Sequence, residues 1–372
     1  MNQNLTFGGV NTADYGIYLT GAGTFSAPER DVEYVAVPGR NGDLLIDNGR
    51  WRNIEVTYPA NIPREFEYRL PEYRARICAK RGYQRLEDTY HPDEYRMASF
   101  TSGLQPKPTP LNNGGQFDLV FNCKPQRYLK SGDKPVMLMP WVPTTYRTQY
   151  IIATGSSVSY KVNAPEGDEL TLKFSLYDGT PTQTDASTAT VEDGDTGSFT
   201  FTPGSDARFW RLEITNGVTD ADATSLELEF DLNYFISGVE HVKATFGRYF
   251  VLENPTGYAS KPLLDYWGTI IPNTTWENYV DGTEQVYYQF STSYISTVAR
   301  IYMDCDLQYL YDVNKNNLTS NLTLTTTGSG IGEGMTFPQF SEDETRITMY
   351  YTTSDIDFGP GIVCVYPHWW TL

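Results

Sequence analysis

The stretch Val35–Tyr58, VAVPGRNGDLLIDNGRWRNIEVTY, decides how the rest of the chain is read. Two Asn-Gly dipeptides, Asn41-Gly42 and Asn48-Gly49, bracket the apolar run Leu44-Leu45-Ile46. Asn-Gly favours a tight β-hairpin, because both central residues of a type I′ turn need positive φ. Pro38-Gly39 marks a further turn just upstream. Downstream, Ile54, Val56 and Tyr58 alternate with Asn53, Glu55 and Thr57, so the segment leaves as a strand with one buried face. An ordinary surface hairpin would show the same pattern.

Composition narrows the class. A length of 372 residues predicts two or three domains with room for buried cores. The 28 Tyr, 18 Phe and 7 Trp, with Gly and Pro spread throughout, favour strands punctuated by turns over helices. No run approaches the ~20 apolar residues of a membrane span. The start, MNQNLTF, lacks the basic-then-apolar form of a signal peptide, so release by lysis or assembly is expected and classical secretion is not. The four cysteines are far apart and only three histidines accompany them, which disfavours a metal site. Buried free thiols are expected, with a Cys305–Cys364 bridge as the alternative.

The net charge of −18 is unevenly placed. Residues 1–130 hold 16 Lys and Arg against 15 Asp and Glu, leaving 12 against 31 for the remainder. Such a shift marks a domain boundary, and it weighs against a nucleic-acid partner for the larger part. Acidic turns such as Asp193-Gly194-Asp195 lack an EF-hand ligand series and read as solvated.

Along the chain, 4–18 reads as strand, turn, strand, and 25–37 as a further extended piece. After Pro63 the period changes: Phe66, Leu70, Tyr73 and Ile77 share one helical face. One helix is predicted within 64–81, either starting at Pro71 or kinked there, and stopping at Gly82. Its Arg69, Arg74, Arg76, Lys80 and Arg81 form a basic face, either solvated or a subunit contact. Strands are predicted at 95–102 and 116–123, separated by the breaker-rich loop GLQPKPTPLNNGG. MPWVPTTYR then reads as a linker or a crossing loop. From Tyr150 to Phe235, alternating runs at Val158–Val162, Leu170–Leu176, Phe199–Phe201, Phe209–Ile214 and Leu226–Leu232 fall between turn signals, the pattern of a β-sandwich. The segment DGTPTQTDASTATVEDGDTG between them reads as a mobile loop. Later strands are predicted at 301–306, 309–313, 318–327, 347–351 and 362–366.

Several phrases carry a resemblance. VPGRNGDLL, DNGR and the closing Cys123-Lys124-Pro125-Gln126-Arg127-Tyr128 resemble the belt domain of siphophage distal tail proteins, ring subunits that join the tail tube to the baseplate. Asn254-Pro255-Thr256, Phe337-Pro338 and the terminal Trp369-Trp370-Thr371-Leu372 resemble the galectin-like domain of that family. There the second domain follows the first almost directly, whereas here 134–248 intervene, as in long forms with carbohydrate-binding-like insertions. The resemblance implies a mainly β fold: a belt domain (1–133), a β-sandwich or split barrel with one α-helix; an inserted β-sandwich with flanking linkers (134–248); and a C-terminal galectin-like β-sandwich (249–372). It also implies a homohexameric ring at the virion tail tip, contacting the tail tube protein and the tail-associated hub protein. No cofactor, nucleic acid or membrane insertion is implied. Ring and partner contacts would fall on Val37, Pro38, Gly39, Arg40, Asn41, Gly42, Asp43, Asn48, Gly49 and Arg50.

No GxSxG, HExxH or Cys/His signature supports catalysis, so the chain is expected not to be an enzyme. Binding is the better expectation. A sugar site needs an aromatic face plus groups for the hydroxyls. In the insertion the candidates for host polysaccharide are Tyr177, Asp178, Phe209 and Trp210. Trp210 shares parity with Leu212 and Ile214 and reads as a core residue before a sugar platform, whereas Tyr177 at a strand end is expected to be exposed. The competing readings are a glycan-binding or glycan-active β-modular protein and a hub subunit of a contractile or headless tail-like particle.

Overall fold

The computed structural model describes residues 3–20, 25–109, 113–142, 145–180, 182–204, 207–232, 240–268, 271–292, 300–328, 337–351 and 361–372. The chain is mainly β and divides into two units, Met1–Gly132 with Trp369–Leu372, and Asp133–His368.

The first unit begins with β1 (Leu5–Phe7), β2 (Val10–Asn11), β3 (Tyr18–Leu19), β4 (Arg30–Val35), β5 (Leu44–Trp51) and β6 (Ile54–Ile62). The helix α1 (Phe66–Cys78) leads to β7 (Gln84–Asp88), β8 (Glu94–Ser99), β9 (Lys107–Thr109) and β10 (Gly114–Leu129). One sheet runs β2-β1-β7-β8-β10-β6-β3, with β9 also on β10, while β4 and β5 pair only with each other. The alternation that starts at Ile54 continues through Tyr58, Ala60 and Ile62, all buried, as period-two patterning requires.

The helix closes this core with Phe66, Leu70, Tyr73 and Ile77, the face expected from the spacing. It does not start at Pro71, which lies exposed inside it. The start is set instead at Phe66, whose amide donates to the Asn113 carbonyl at 3.0 Å. A Cβ on Gly115 would meet the Phe66 ring at 2.2 Å, so only glycine lets β10 pass the helix. The CKPQRY phrase is an irregularity in β10. Its register against β8 shifts between Cys123 and Arg127, and the buried Arg96 donates to the freed Pro125 carbonyl at 3.2 Å.

The second unit contains β11 (Val136–Pro140), β12 (Ile151–Ile152), β13 (Ser157–Asn163), β14 (Leu170–Tyr177), β15 (Gln183–Val191) and β16 (Thr196–Thr200). Next come β17 (Phe209–Asn216), β18 (Ser225–Leu232), β19 (Glu240–Gly247), β20 (Tyr249–Glu253), β21 (Leu263–Trp267) and β22 (Asn273–Val280). Last are β23 (Thr283–Thr292), β24 (Ile301–Asp304), β25 (Tyr309–Asp312), β26 (Leu322–Gly328), β27 (Glu344–Tyr350) and β28 (Ile362–Tyr366). A nine-stranded sheet, β16-β13-β18-β19-β11-β28-β21-β24-β25, is accompanied by a four-stranded sheet, β12-β17-β14-β15, and a five-stranded one, β20-β27-β22-β23-β26. The four-stranded sheet packs on the first through Phe174 and Phe199, stacked at 5.1 Å, and Trp210 and Phe230, edge-on at 5.1 Å. The nine-stranded sheet crosses residue 248 without a break, because β11 lies between β19, to which it is parallel, and β28.

Three local expectations change. The Thr-rich segment after Asp178 is not a loop throughout. Residues 183–191 form β15, an edge strand paired only with β14 and exposed over most of its length. Cys78 is exposed, while Cys123, Cys305 and Cys364 are buried, and all four are free. The terminal tryptophans return to the first unit: β29 (Trp370–Thr371) pairs with β10 at Tyr128 and Arg127, and Trp369 is buried.

Phe121, fully buried among Phe7, Tyr58 and Phe100, holds the first core. Phe121→Ala should cost about 3–5 kcal/mol in urea unfolding of this unit. Arg76→Ala on the exposed helix face should stay within about 0.5 kcal/mol. Similar midpoints for the two variants would refute this packing.

Candidate functional site: an exposed apolar ribbon

β4 and β5 pair antiparallel, Val35 opposite Leu44, Tyr34 opposite Leu45 and Glu33 opposite Ile46. Alternation puts Tyr34 and Leu45 on one face and Val35, Leu44 and Ile46 on the other. Neither face is covered by the described residues. Tyr34 is 68% exposed and Leu45 54%, and Val37, Leu44 and Ile46 are exposed as well. A lone two-stranded ribbon is marginal in water, and clustered exposed apolar side chains mark an interaction surface.

The turns differ from the Asn-Gly expectation. The ribbon reverses at Pro38-Gly39, where Arg40 N–H donates to the Val37 carbonyl at 3.2 Å and Gly39 has φ +82°. Proline then glycine with positive φ is the type II arrangement. Asn48-Gly49 is no turn at all. It lies within β5, where the register against β4 shifts, and Gly49 at φ +69° takes the bulge position with its N–H on Asp47 Oδ1 at 2.8 Å. The structure therefore gathers Val37, Pro38, Gly39, Arg40, Asn41, Gly42 and Asp43 at the ribbon tip, all exposed, and sets Asn48, Gly49 and Arg50 nearer its base.

An ionic knot holds that base. Asp31 is nearly buried and accepts from Arg50 Nε at 2.6 Å and from Arg52 Nε at 3.0 Å. Arg30 reaches Asp47 at 3.4 Å and its guanidinium lies 4.5 Å from the Trp51 ring centre. The hydrogen bonds from Arg50 and then Arg52 keep the Asp31 carboxyl below its ordinary value. These six residues were not legible as a unit beforehand, since their spacing crosses a hairpin whose register is set by the bulge.

The second set of candidates is brought together only in part. Tyr177 lies opposite Phe209 and Leu176 opposite Trp210 across β14 and β17. Trp210 is fully buried against Phe174 and Phe230, so it is a core residue and offers no sugar platform. Tyr177, expected at the surface, is buried too, its ring edge-on to Tyr150 at 5.0 Å. Phe209 and Asp178 are half-buried at the same strand end. Asp178 is engaged in its own turn, accepting from Thr180 N–H at 2.9 Å, and the Thr180 hydrogen bonds hold its carboxyl below the ordinary value. Among the described residues no cluster of His, Cys, Asp and Glu is arranged to hold a metal ion, and no helix is long and apolar enough to cross a membrane.

No family model and no curated protein matches the chain. Solved structures of phage tail-hub components are similar to it. One is the SPP1 Dit protein, described as a paradigm of the hub adsorption apparatus in Gram-positive infecting phages, at 7% identity, 98% coverage of both chains and a TM-score of 0.48. Another is the phage P2 baseplate in its activated conformation with Ca, at 10% identity, covering 96% of this chain and 99% of that one, with a TM-score of 0.39.

The lowered Asp31 carboxyl sets a pH window. Its contribution is complete above the unfolded value, near 3.8, and is lost as pH falls through the lower folded value. Amide shifts of the ribbon followed by NMR should hold steady from pH 7 to about 4 and move below that. Asp31→Asn should show the displaced shifts at every pH. Ribbon shifts that move between pH 7 and 5 in the parent protein would contradict the knot.

Proposed function

We propose that this chain is a structural subunit of a phage tail tip, a distal tail protein that closes with its copies into a ring. The observation that carries the reading is the ribbon, two strands with apolar side chains on both faces and nothing among the described residues to cover them. The belt-like phrases VPGRNGDLL and DNGR fall in this element.

Magnitudes favour a ring over an isolated pair. Burying a large apolar side chain gains roughly 1.5–3 kcal/mol, so five half-exposed ones offer about 5 kcal/mol. A micromolar complex needs about 8 kcal/mol after entropy costs. One ribbon contact is therefore too weak alone. In a closed head-to-tail ring every subunit gives one contact and receives another, and breaking the ring means losing two. Unit one, nearly neutral, can approach its copies with little like-charge cost, and the acidic remainder is better placed outward.

In this reading 1–133 forms a hexameric belt between the tail tube protein and the tail-associated hub protein. Residues 134–248 are an accessory module for host surface polysaccharide, and 249–372 a galectin-like sandwich. The role is non-enzymatic and the site of action is the virion tail tip. Phe209, Asp178 and the edge of Tyr177 are the contacts at the accessory glycan site.

Light scattering of the purified protein should give close to six times the 42.1 kDa of one chain. Leu45→Asp, at an exposed position, should yield monomers with unchanged thermal unfolding. A parent protein that stays monomeric, alone and when mixed with tail tube or hub partner, would overturn the ring. Phe209→Ala with Asp178→Asn should weaken cell-wall polysaccharide binding. Unaltered binding would remove these strand-end contacts, and a parent protein that binds no wall polysaccharide would remove the glycan role.

A further inference from the structure

The outward face of the four-stranded sheet departs from the acidic character of its unit. Across β14 and β17, Lys173 lies opposite Glu213, Ser175 opposite Arg211 and Tyr177 opposite Phe209. Alternation sends these side chains away from the core that Phe174, Leu176, Trp210 and Leu212 fill on the other face. Arg147 Nη1 is 3.8 Å from one oxygen of Glu213 and Lys173 Nζ is 3.9 Å from the other. Two cations, Arg147 and Lys173, thus flank one carboxylate, and Arg211 lies two residues before it on the same face of β17.

Arg211 is the anomaly within this group. It is only 3% exposed, and its Nε and Nη2 find no acceptor among the described residues. The hydroxyl of Ser175, directly across the strand pair and fully buried, also lacks a partner. Buried polar groups are nearly always paired, and an uncompensated buried cation costs several kcal/mol. Desolvation, followed by the neighbouring Arg147, pushes the guanidinium below its ordinary value. Tyr150 lies over the flat face of the guanidinium at 3.5 Å from ring centre to Cζ. That contact occupies the face and leaves the Nε and Nη2 edge unused. This edge is the fork that grips a carboxylate or phosphate with two parallel hydrogen bonds.

We infer that this face binds the anionic group of an acidic carbohydrate, a sugar carboxylate or a polyol phosphate, with the Nε and Nη2 edge of Arg211 as the bidentate donor and Ser175 Oγ as a third donor. Tyr150, half-buried in the segment before β12, is the cover that swings aside to admit it. The inference rests on the accessory glycan-binding role proposed above and assigns its ligand class. It also moves the centre of that site from the strand end to the sheet face.

The test is titration calorimetry of the intact protein with sodium glucuronate, glycerol 1-phosphate and glucose. At least one of the two anions should bind and glucose should not, and which anion binds identifies the source of the charge. Arg211→Gln should weaken that binding roughly ten-fold or more. Tyr150→Ala, which leaves the buried arginine in place, should retain or strengthen it. Failure of both anions to bind either the parent or Tyr150→Ala at millimolar concentration would overturn the inference, leaving ordered water as the partner of Arg211. Neutral wall polysaccharide that still binds with Arg211→Gln would overturn the anionic assignment while the accessory glycan role stands.

Discussion

Apolar surface that its own chain cannot cover is the constraint on which the first unit depends. The long strands of its sheet bury a face: β6 presents Ile54 to Ile62, β10 presents Phe117 to Cys123, and α1 closes the side with Tyr73 and Ile77. The ribbon is the exception. Its pairing is kept by backbone hydrogen bonds and by Asp31 gripped between Arg50 and Arg52, polar devices that fix its base without burying Tyr34, Leu45 or Ile46. An element held rigid at its root and left apolar along its length is preorganised for a partner, which lowers the ordering cost of association.

The second unit solves a different problem. A long excursion from β11 to the parallel β19 carries β12 to β18, and the returning strand extends the sheet. The result is a continuous nine-stranded sheet in which the half-buried Arg300 and the bond from Trp267 Nε1 at 3.1 Å satisfy the buried Asp265 carboxylate of β21. Arg211 on the facing sheet lacks such an answer. The contrast between two arginines of one unit, Arg300 with its Nε and Nη2 edge on a carboxylate and the more deeply buried Arg211 with that edge idle, is what gives the second its functional interest.

Much of the fold was legible because period and burial agree. The helical face at Phe66, Leu70, Tyr73 and Ile77 and the alternating runs of β13, β14, β17 and β18 follow directly from the side-chain period. The failures have physical causes. Asn48-Gly49 supplies positive φ, but a bulge uses that conformation as readily as a turn does. Gln183–Val191 has no apolar alternation because an edge strand that faces solvent on both sides needs none. For the sites, the sequence located the ribbon by its turn residues, yet exposure of Leu44 to Ile46 was hidden, since an apolar run reads as core. Tyr177 erred in the other direction, because the burial of a strand end depends on Tyr150, a residue ahead of the first alternating run of the predicted sandwich. Arg211 was passed over since its outward parity signalled solvent, and only the cover above it makes it unusual.

The central claim is that residues 30–51 are uncovered in the lone chain and covered by a neighbour on assembly. Hydrogen–deuterium exchange of this segment, compared between dilute monomer and the assembled form, measures that directly. The account predicts ready exchange in the monomer and strong protection in the assembly, with β6 and β10 protected in both. Equal exchange of residues 30–51 in the two states would contradict it.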